Sequence, residues 1–197
     1  MKQIFERGAF SGFRITDSQL NEARTETRYF SEGGHVSSKR TIFLSHKHSD
    51  LEDLKDIIGF LRRQYDVDIY IDSMDANMPK KTCGETALRI KNIIQKSDRF
   101  ILLATDAAIE SKWCNWELGF GDALKYRDKI ALFPIKEAGS YDSQYTGNEY
   151  MQIYPFIAYS DGTEVYNNGT PIERGYYVCY YDETGTLIVT KLIDWLR

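Results

Sequence analysis

The chain has 197 residues, enough for one well-packed domain and a modest extension, and its 42% hydrophobic and 27% charged content is that of an ordinary globular protein. Lys+Arg 25 against Asp+Glu 29 leaves a net charge of −4 without a long basic run, which disfavours nucleic acid or an anionic membrane as partner. Cys83, Cys114 and Cys179 are widely spaced with no metal-ligand pattern, Lys2, Glu6 and Arg7 stand where a secretory leader would be apolar, and no stretch approaches a membrane span; the expectation is a reduced, cytoplasmic protein.

Residues 1–39 differ in pattern from the rest. Asp17 to Phe30 has the spacing of a short amphipathic helix capped by Thr16 or Asp17, and Ser31 to Ser38 has the composition of a linker. From Arg40 the pattern is regular. Thr41 to Leu44 is a short apolar run suited to a strand buried on both faces, and Leu51 to Tyr65 is helical in period. Val67 to Ile71 reads as a strand and Thr86 to Gln95 as a helix. Arg99 to Ala104 is a third strand, Ala107 to Tyr126 a third helix of this region, and Lys129 to Ile135 a fourth strand. Strands alternating with helices of this length predict an α/β fold with a doubly wound parallel sheet. In the tail, Gly147 to Tyr150 suggests a short helix and Pro155 to Tyr159 a fifth strand. Tyr176–Tyr181 and Thr186–Thr190 around Asp182-Glu183-Thr184-Gly185 suggest a hairpin, and Lys191 to Arg197 a last helical turn packing Leu192, Trp195 and Leu196 on the body.

Ligands of open parallel sheets bind at the carboxyl ends of the strands, where strand order reverses. Four segments reach that edge: Ser45 to Asp50, Asp72 to Thr82, Thr105-Asp106, and the helix start bearing Trp113 and Glu117, which lie four apart and share a helix face. No Walker loop, GxGxxG or GxSxG is present, which argues against a P-loop NTPase, a Rossmann dehydrogenase and an α/β-hydrolase. His46 and His48 beside Asp50 are weak evidence for a metal, and none is expected. Glu117 stands among Trp113, Cys114, Trp116 and Phe120, and a carboxylate in such company points outward, pairs, or sits in a cleft to do chemistry.

Two segments carry a family resemblance. Thr41-Ile42-Phe43-Leu44-Ser45-His46-Lys47-His48-Ser49-Asp50 resembles the opening strand and loop of TIR (Toll/interleukin-1 receptor) domains, and Ser111-Lys112-Trp113-Cys114-Asn115-Trp116-Glu117-Leu118 resembles their S-x-W-C-x-x-E-L motif. The resemblance covers about residues 40–160 and implies a flavodoxin-like five-stranded parallel sheet. It leaves 1–39 as an N-terminal extension and linker and 161–197 as a C-terminal extension packed on the domain. Residues 72–85 become the long loop after the second strand; Pro79 there is followed by Lys80, where animal receptors carry glycine, which gives the loop a bacterial, defence-type character.

The resemblance further implies cleavage of NAD+ at the nicotinamide–ribose bond, with NAD+ as substrate and no cofactor. Glu117 is then the catalytic residue, and Phe43, Ser45, His46, Asp72 and Trp113 are substrate-binding candidates. The expected partners are further copies of the TIR domain and a separate sensor or effector protein responding to a nucleotide product in bacterial immunity. A non-catalytic TIR scaffold and, more remotely, a nucleoside deoxyribosyltransferase-like enzyme are the competing readings.

Overall fold

The computed structural model describes residues 1–32, 38–71, 84–125, 127–139, 145, 147–166 and 168–197. In chain order the elements are β1 (Phe5–Glu6), α1 (Asp17–Ser31), β2 (Thr41–Ser45), α2 (Leu51–Tyr65), β3 (Asp68–Ile71), α3 (Gly84–Lys96), β4 (Arg99–Ala104), α4 (Asp106–Ile109), α5 (Lys112–Lys125), β5 (Ile130–Lys136), β6 (Phe156–Ser160), β7 (Gly175–Tyr181), β8 (Leu187–Lys191) and α6 (Leu192–Trp195). A 3-10 turn over Glu149–Ile153 replaces the short helix expected at Gly147 to Tyr150. The linker read at residues 31–38 and the loop read at 72–85 fall largely outside the described residues; the last two residues of that loop, Gly84 and Glu85, open α3 instead.

Among the described residues the sheet runs β3-β2-β4-β5-β6-β7-β8, with β1 pairing to β5. The strands from β2 to β6 are parallel. This is the flavodoxin-like order, in which the chain leaves β2 first to one side and then to the other. The tail hairpin does not form a separate layer. It pairs antiparallel with β6, Phe156 opposite Cys179, and so lengthens the same sheet. Its turn is held by Asp182, whose side chain accepts the amide hydrogens of Thr184 and Thr186, each at 2.9 Å.

Both faces of the sheet are covered, which is why β2 reads as an unbroken apolar run: every residue from Thr41 to Ser45 is buried. One face packs Ile42, Leu44, Ile101 and Phe133 against Leu54, Ile57 and Leu61 of α2, with Leu192 and Trp195 of α6 beside them. The other packs Phe43, Phe100 and Leu102 against Ile90, Ile93 and Ile94 of α3 and Leu118 of α5.

One expected helix is two. The apolar pattern continues through 107–126, but Thr105 caps α4 by accepting the Ala108 amide hydrogen at 3.0 Å, and Glu110 ends it. Ser111 then restarts the helix: its Oγ accepts from Cys114 N at 3.4 Å, while the Asn115 side chain donates to Ile109 O at 2.9 Å across the break. Local capping outcompetes hydrophobic periodicity here.

The segment before β2 is built into the sheet. β1 lies along the carboxyl end of β5, Phe5 opposite Ile135 and Glu6 opposite Lys136. The chain then crosses α2 so closely that a Cβ on Gly59 would stand 1.8 Å from the Phe13 carbonyl oxygen. Thr16 starts α1 with a capping box, its hydroxyl accepting from Gln19 N at 3.2 Å and Gln19 Oε1 accepting from Thr16 N at 2.9 Å. Helix α1 borders the edge strand: Ile71 N donates to the buried Thr27 hydroxyl at 3.2 Å, and that hydroxyl donates to Ala23 O at 2.7 Å. An edge amide that would otherwise be unpaired is thereby satisfied.

Candidate active site

The site forms where β2 ends. Ser45, its last residue, is fully buried, and its Oγ donates to Glu117 Oε2 at 2.5 Å across 72 residues of sequence. Glu117 lies in the second turn of α5 and is 0% exposed. Removing a carboxylate from water costs several kcal/mol unless hydrogen bonds replace the lost hydration, so a buried one at a ligand edge is a functional-site signal. Cys114, a turn earlier, is buried near Ser45 and Ser111. Burial pushes its thiol up to about 11, so it stays protonated at neutral pH and serves as a small packing group.

The loop after β2 is fixed from both sides. His46 is half-buried with Nδ1 3.3 Å from Leu44 O, and burial pulls its pKa down to about 4, leaving a neutral imidazole at pH 7. Asp50 is buried and accepts from the Thr105 hydroxyl that also caps α4. This bond ties the loop after β2 to the loop after β4, across the place where strand order reverses. Arg7, just past β1, reaches the same loop: its guanidinium lies 3.5 Å from Asp50, 3.1 Å from Asp53 and 3.2 Å from Glu137. Burial raises the Asp53 pKa even with Arg7 opposing it.

Of the residues expected from sequence, the structure brings Ser45, His46, Glu117 and Trp113 to this edge. Trp113 is half-buried in the first turn of α5, its ring 4.8 Å from that of Trp116, which in turn stacks on Phe120 at 6.2 Å under the Lys91 ammonium. Phe43 is fully buried, 5.5 Å from the Phe100 ring, and forms the apolar floor one turn of strand below Ser45. Asp72 lies outside the described residues. Asp50, grouped with His46 and His48 in the weak metal reading, is directed to Thr105 and Arg7, and among the described residues no group of three or more His, Cys, Asp or Glu side chains is placed to hold a metal ion. Sequence reasoning missed Arg7 and the bridging role of Thr105. Thr105 carries a readable signal, a threonine just past a strand and before a helix; Arg7 carries none, because its contacts depend on β1 joining the sheet.

Fold and site together define a class: a flavodoxin-like parallel-sheet domain with a buried glutamate, held by the serine that closes the first parallel strand, at the switch in strand order. The chain belongs to the TIR domain family, whose model matches residues 42–162, more than half of its length. It is also 29% identical over 119 residues to a protein of Bacillus cereus (strain MSX-D12) named as a probable 3' cyclic ADP-D-ribose synthase, ThsB'. That similarity covers 59% of this chain and 60% of the relative, so the chain spans well under two thirds of that protein's length. No helix among the described residues is long and apolar enough to cross a membrane.

Proposed function

We propose that this TIR domain cleaves NAD+ at the nicotinamide–ribose bond, acting as an NAD+ glycohydrolase or ADP-ribosyl cyclase in bacterial immunity. The observation that carries the reading is the buried Ser45–Glu117 pair at the carboxyl edge, 2.5 Å between Oγ and Oε2. The Ser45 hydroxyl marks on Glu117 the position that a ribose hydroxyl takes in the complex. A scaffold has no use for a carboxylate buried at that cost.

The chemistry needs one anion. The C1'–N bond breaks with its electron pair going to the nicotinamide nitrogen, which neutralises the pyridinium, so the leaving group requires no proton. The ribose gains oxocarbenium character, as in glycoside cleavage generally, and Glu117 stabilises it while holding the sugar hydroxyls. A lone pair from water completes hydrolysis to ADP-ribose, with one proton lost to solvent. A lone pair from a hydroxyl or adenine nitrogen of the same molecule completes cyclisation. Trp113 offers a ring to the substrate, Ser45 and the neutral His46 offer polar contacts, Phe43 supports them from below, and Asp72 is retained as a hydroxyl-binding candidate. The name of the Bacillus cereus relative, a probable 3' cyclic ADP-D-ribose synthase, supports the cyclase branch. In this reading residues 40–160 form the catalytic unit and both flanking segments build on it. Copies associate through their TIR domains, for which the exposed Leu88 and Leu124 beside the Trp116–Phe120 ladder offer apolar surface, and a separate effector responds to the product.

Incubation with NAD+ at high protein concentration, followed by mass identification of the product, tests the proposal. ADP-ribose, or a cyclised product lighter than it by one water, is expected, and Glu117→Gln should lower turnover at least ~1000-fold, the order seen when a key electrostatic stabiliser is removed. Equal consumption by wild type and Glu117→Gln would sink it.

A further inference from the structure

Helix α1 runs antiparallel to the edge strand, with its start at the ligand edge. Near its N-terminus Asp17 pairs with Lys55 of α2 at 2.7 Å, and Arg14, just before the helix, pairs with Glu52 and Asp56 in the first turns of α2 at 2.7 and 2.6 Å. Near its C-terminus Glu26 pairs with Arg62, in the last turn of α2, at 2.7 Å, and Phe30 stacks on Tyr70 at 4.0 Å. Between these ends Thr27 bonds Ile71, the last residue of β3, which lies opposite Leu44 of β2. The neighbouring strands are about 4.8 Å apart, and a helix rises about 4.5 Å over three residues. Arg24, three residues before Thr27, therefore lies past the carboxyl end of β3, on the side of the site where Ser45 and His46 follow Leu44.

Arg24 is unlike the other arginines of the N-terminal segment. Arg7 and Arg14 are spent on carboxylates, whereas Arg24 shows no ion pair among the described residues. Its Nη1 donates to the Asn21 side chain at 3.2 Å, and its Nε is buried with no acceptor among the described residues. A buried guanidinium donor without an acceptor costs stability unless a ligand supplies one. Its charge is close enough to His46 to disfavour protonation of the imidazole there. An arginine that faces a ligand edge with a donor to spare fits an anion, and its planar fork matches a phosphate.

Resting on the NAD+-cleaving reading, we propose that Arg24 binds the diphosphate bridge of the dinucleotide and positions the nicotinamide ribose over Glu117. The N-terminal helix then supplies a substrate-binding residue from outside the segment matched by the family model, which begins at residue 42. Arg24 determines which N-glycosides are accepted: dinucleotides over the phosphate-free nucleoside.

Equilibrium binding to the full chain carrying Glu117→Gln, which prevents turnover, tests this with two probes, NAD+ and nicotinamide riboside. Adding Arg24→Gln should weaken NAD+ about 10-fold or more, the loss expected for a charge-assisted hydrogen bond, and leave nicotinamide riboside unchanged; Arg24→Lys should recover part of the loss. In the catalytically intact chain the same change should appear as a raised KM for NAD+. Arg24→Gln and Arg24→Lys with unchanged NAD+ affinity would overturn the inference and leave the cleavage reading standing, as would equal weakening of both probes. Arg24-dependent NAD+ binding without Glu117-dependent cleavage would support the inference and overturn the catalytic reading. Absence of NAD+ binding to this chain, together with absence of NAD+ consumption by the chain with Glu117 intact, would overturn both.

Discussion

Residues before β2 and residues after β6 both flank the parallel sheet, but the first set gathers at its carboxyl edge while the second lengthens it at the far side. β1 pairs with the last residues of β5, Arg7 grips the loop after β2, and α1 borders β3 beside the site. The hairpin β7–β8 begins four strand spacings from β2, about 19 Å away. Helix α6 turns back onto the opposite end of the strands, where Arg99 Nε donates to Trp195 O at 2.6 Å and Trp195 Nε1 donates to Asp128 O at 2.6 Å. The C-terminal hairpin extends the sheet beyond β6, away from Ser45 and Glu117. Proximity to chemistry follows from which end of a strand a segment meets, not from how many aromatic side chains it carries.

Substitutions that separate stability from substrate affinity distinguish the two flanks. Trp195→Ala removes a buried indole and its hydrogen bond, and should cost about 3–5 kcal/mol in denaturant unfolding. At a temperature where the variant remains folded, its KM for NAD+ should match wild type. A raised KM would mean that the C-terminal segment does reach the ligand edge. Thr27→Val keeps the side-chain shape but leaves the buried Ile71 amide without its acceptor, a cost of about 1–3 kcal/mol. That smaller loss should nevertheless be accompanied by weaker NAD+ binding, because the helix that carries Arg24 loses its anchor; unchanged affinity would detach α1 from the site.

A third expectation concerns pH. His46 has a folded pKa near 4 against 6.5 for the free imidazole, so between those values the unfolded chain holds the extra proton. Stability from this group therefore rises with pH in that window, is fully present above about 6.5, and is lost as pH falls toward 4. Replacing His46 with Gln should flatten the slope of unfolding free energy there by at most about 1.4 kcal/mol per pH unit. An unaltered slope would place the His46 ring in water rather than against the protein.

Much of this organisation is legible in the sequence because its causes are local. α2 and β4 begin and end where apolar period and flanking residues place them, Leu51–Tyr65 and Arg99–Ala104. The Thr16 cap and the Asp182 turn act through bonds spanning only a few residues. Ser45 and Glu117 are legible only through two motifs, since nothing local joins positions 72 residues apart. β1 escapes notice because two residues cannot show an alternation, and the division at Glu110–Ser111 because the apolar stripe runs through it. Arg7 and Arg24 are ordinary surface arginines by composition. Their company comes from how the segment before β2 docks, which the sequence does not encode in any period.

The Thr27–Ile71 bond has a consequence for assembly. A β-sheet that grows into a fibre by backbone pairing needs two open borders, one to receive and one to offer. Here α1 stands along the β3 border, and among the described residues the opposite border ends in β8, which pairs only with β7. Strand addition through β8 joins two copies and then stops, because among the described residues each has used the one border that no other element lines. A longer array of these residues draws on side-chain surfaces of helices and loops.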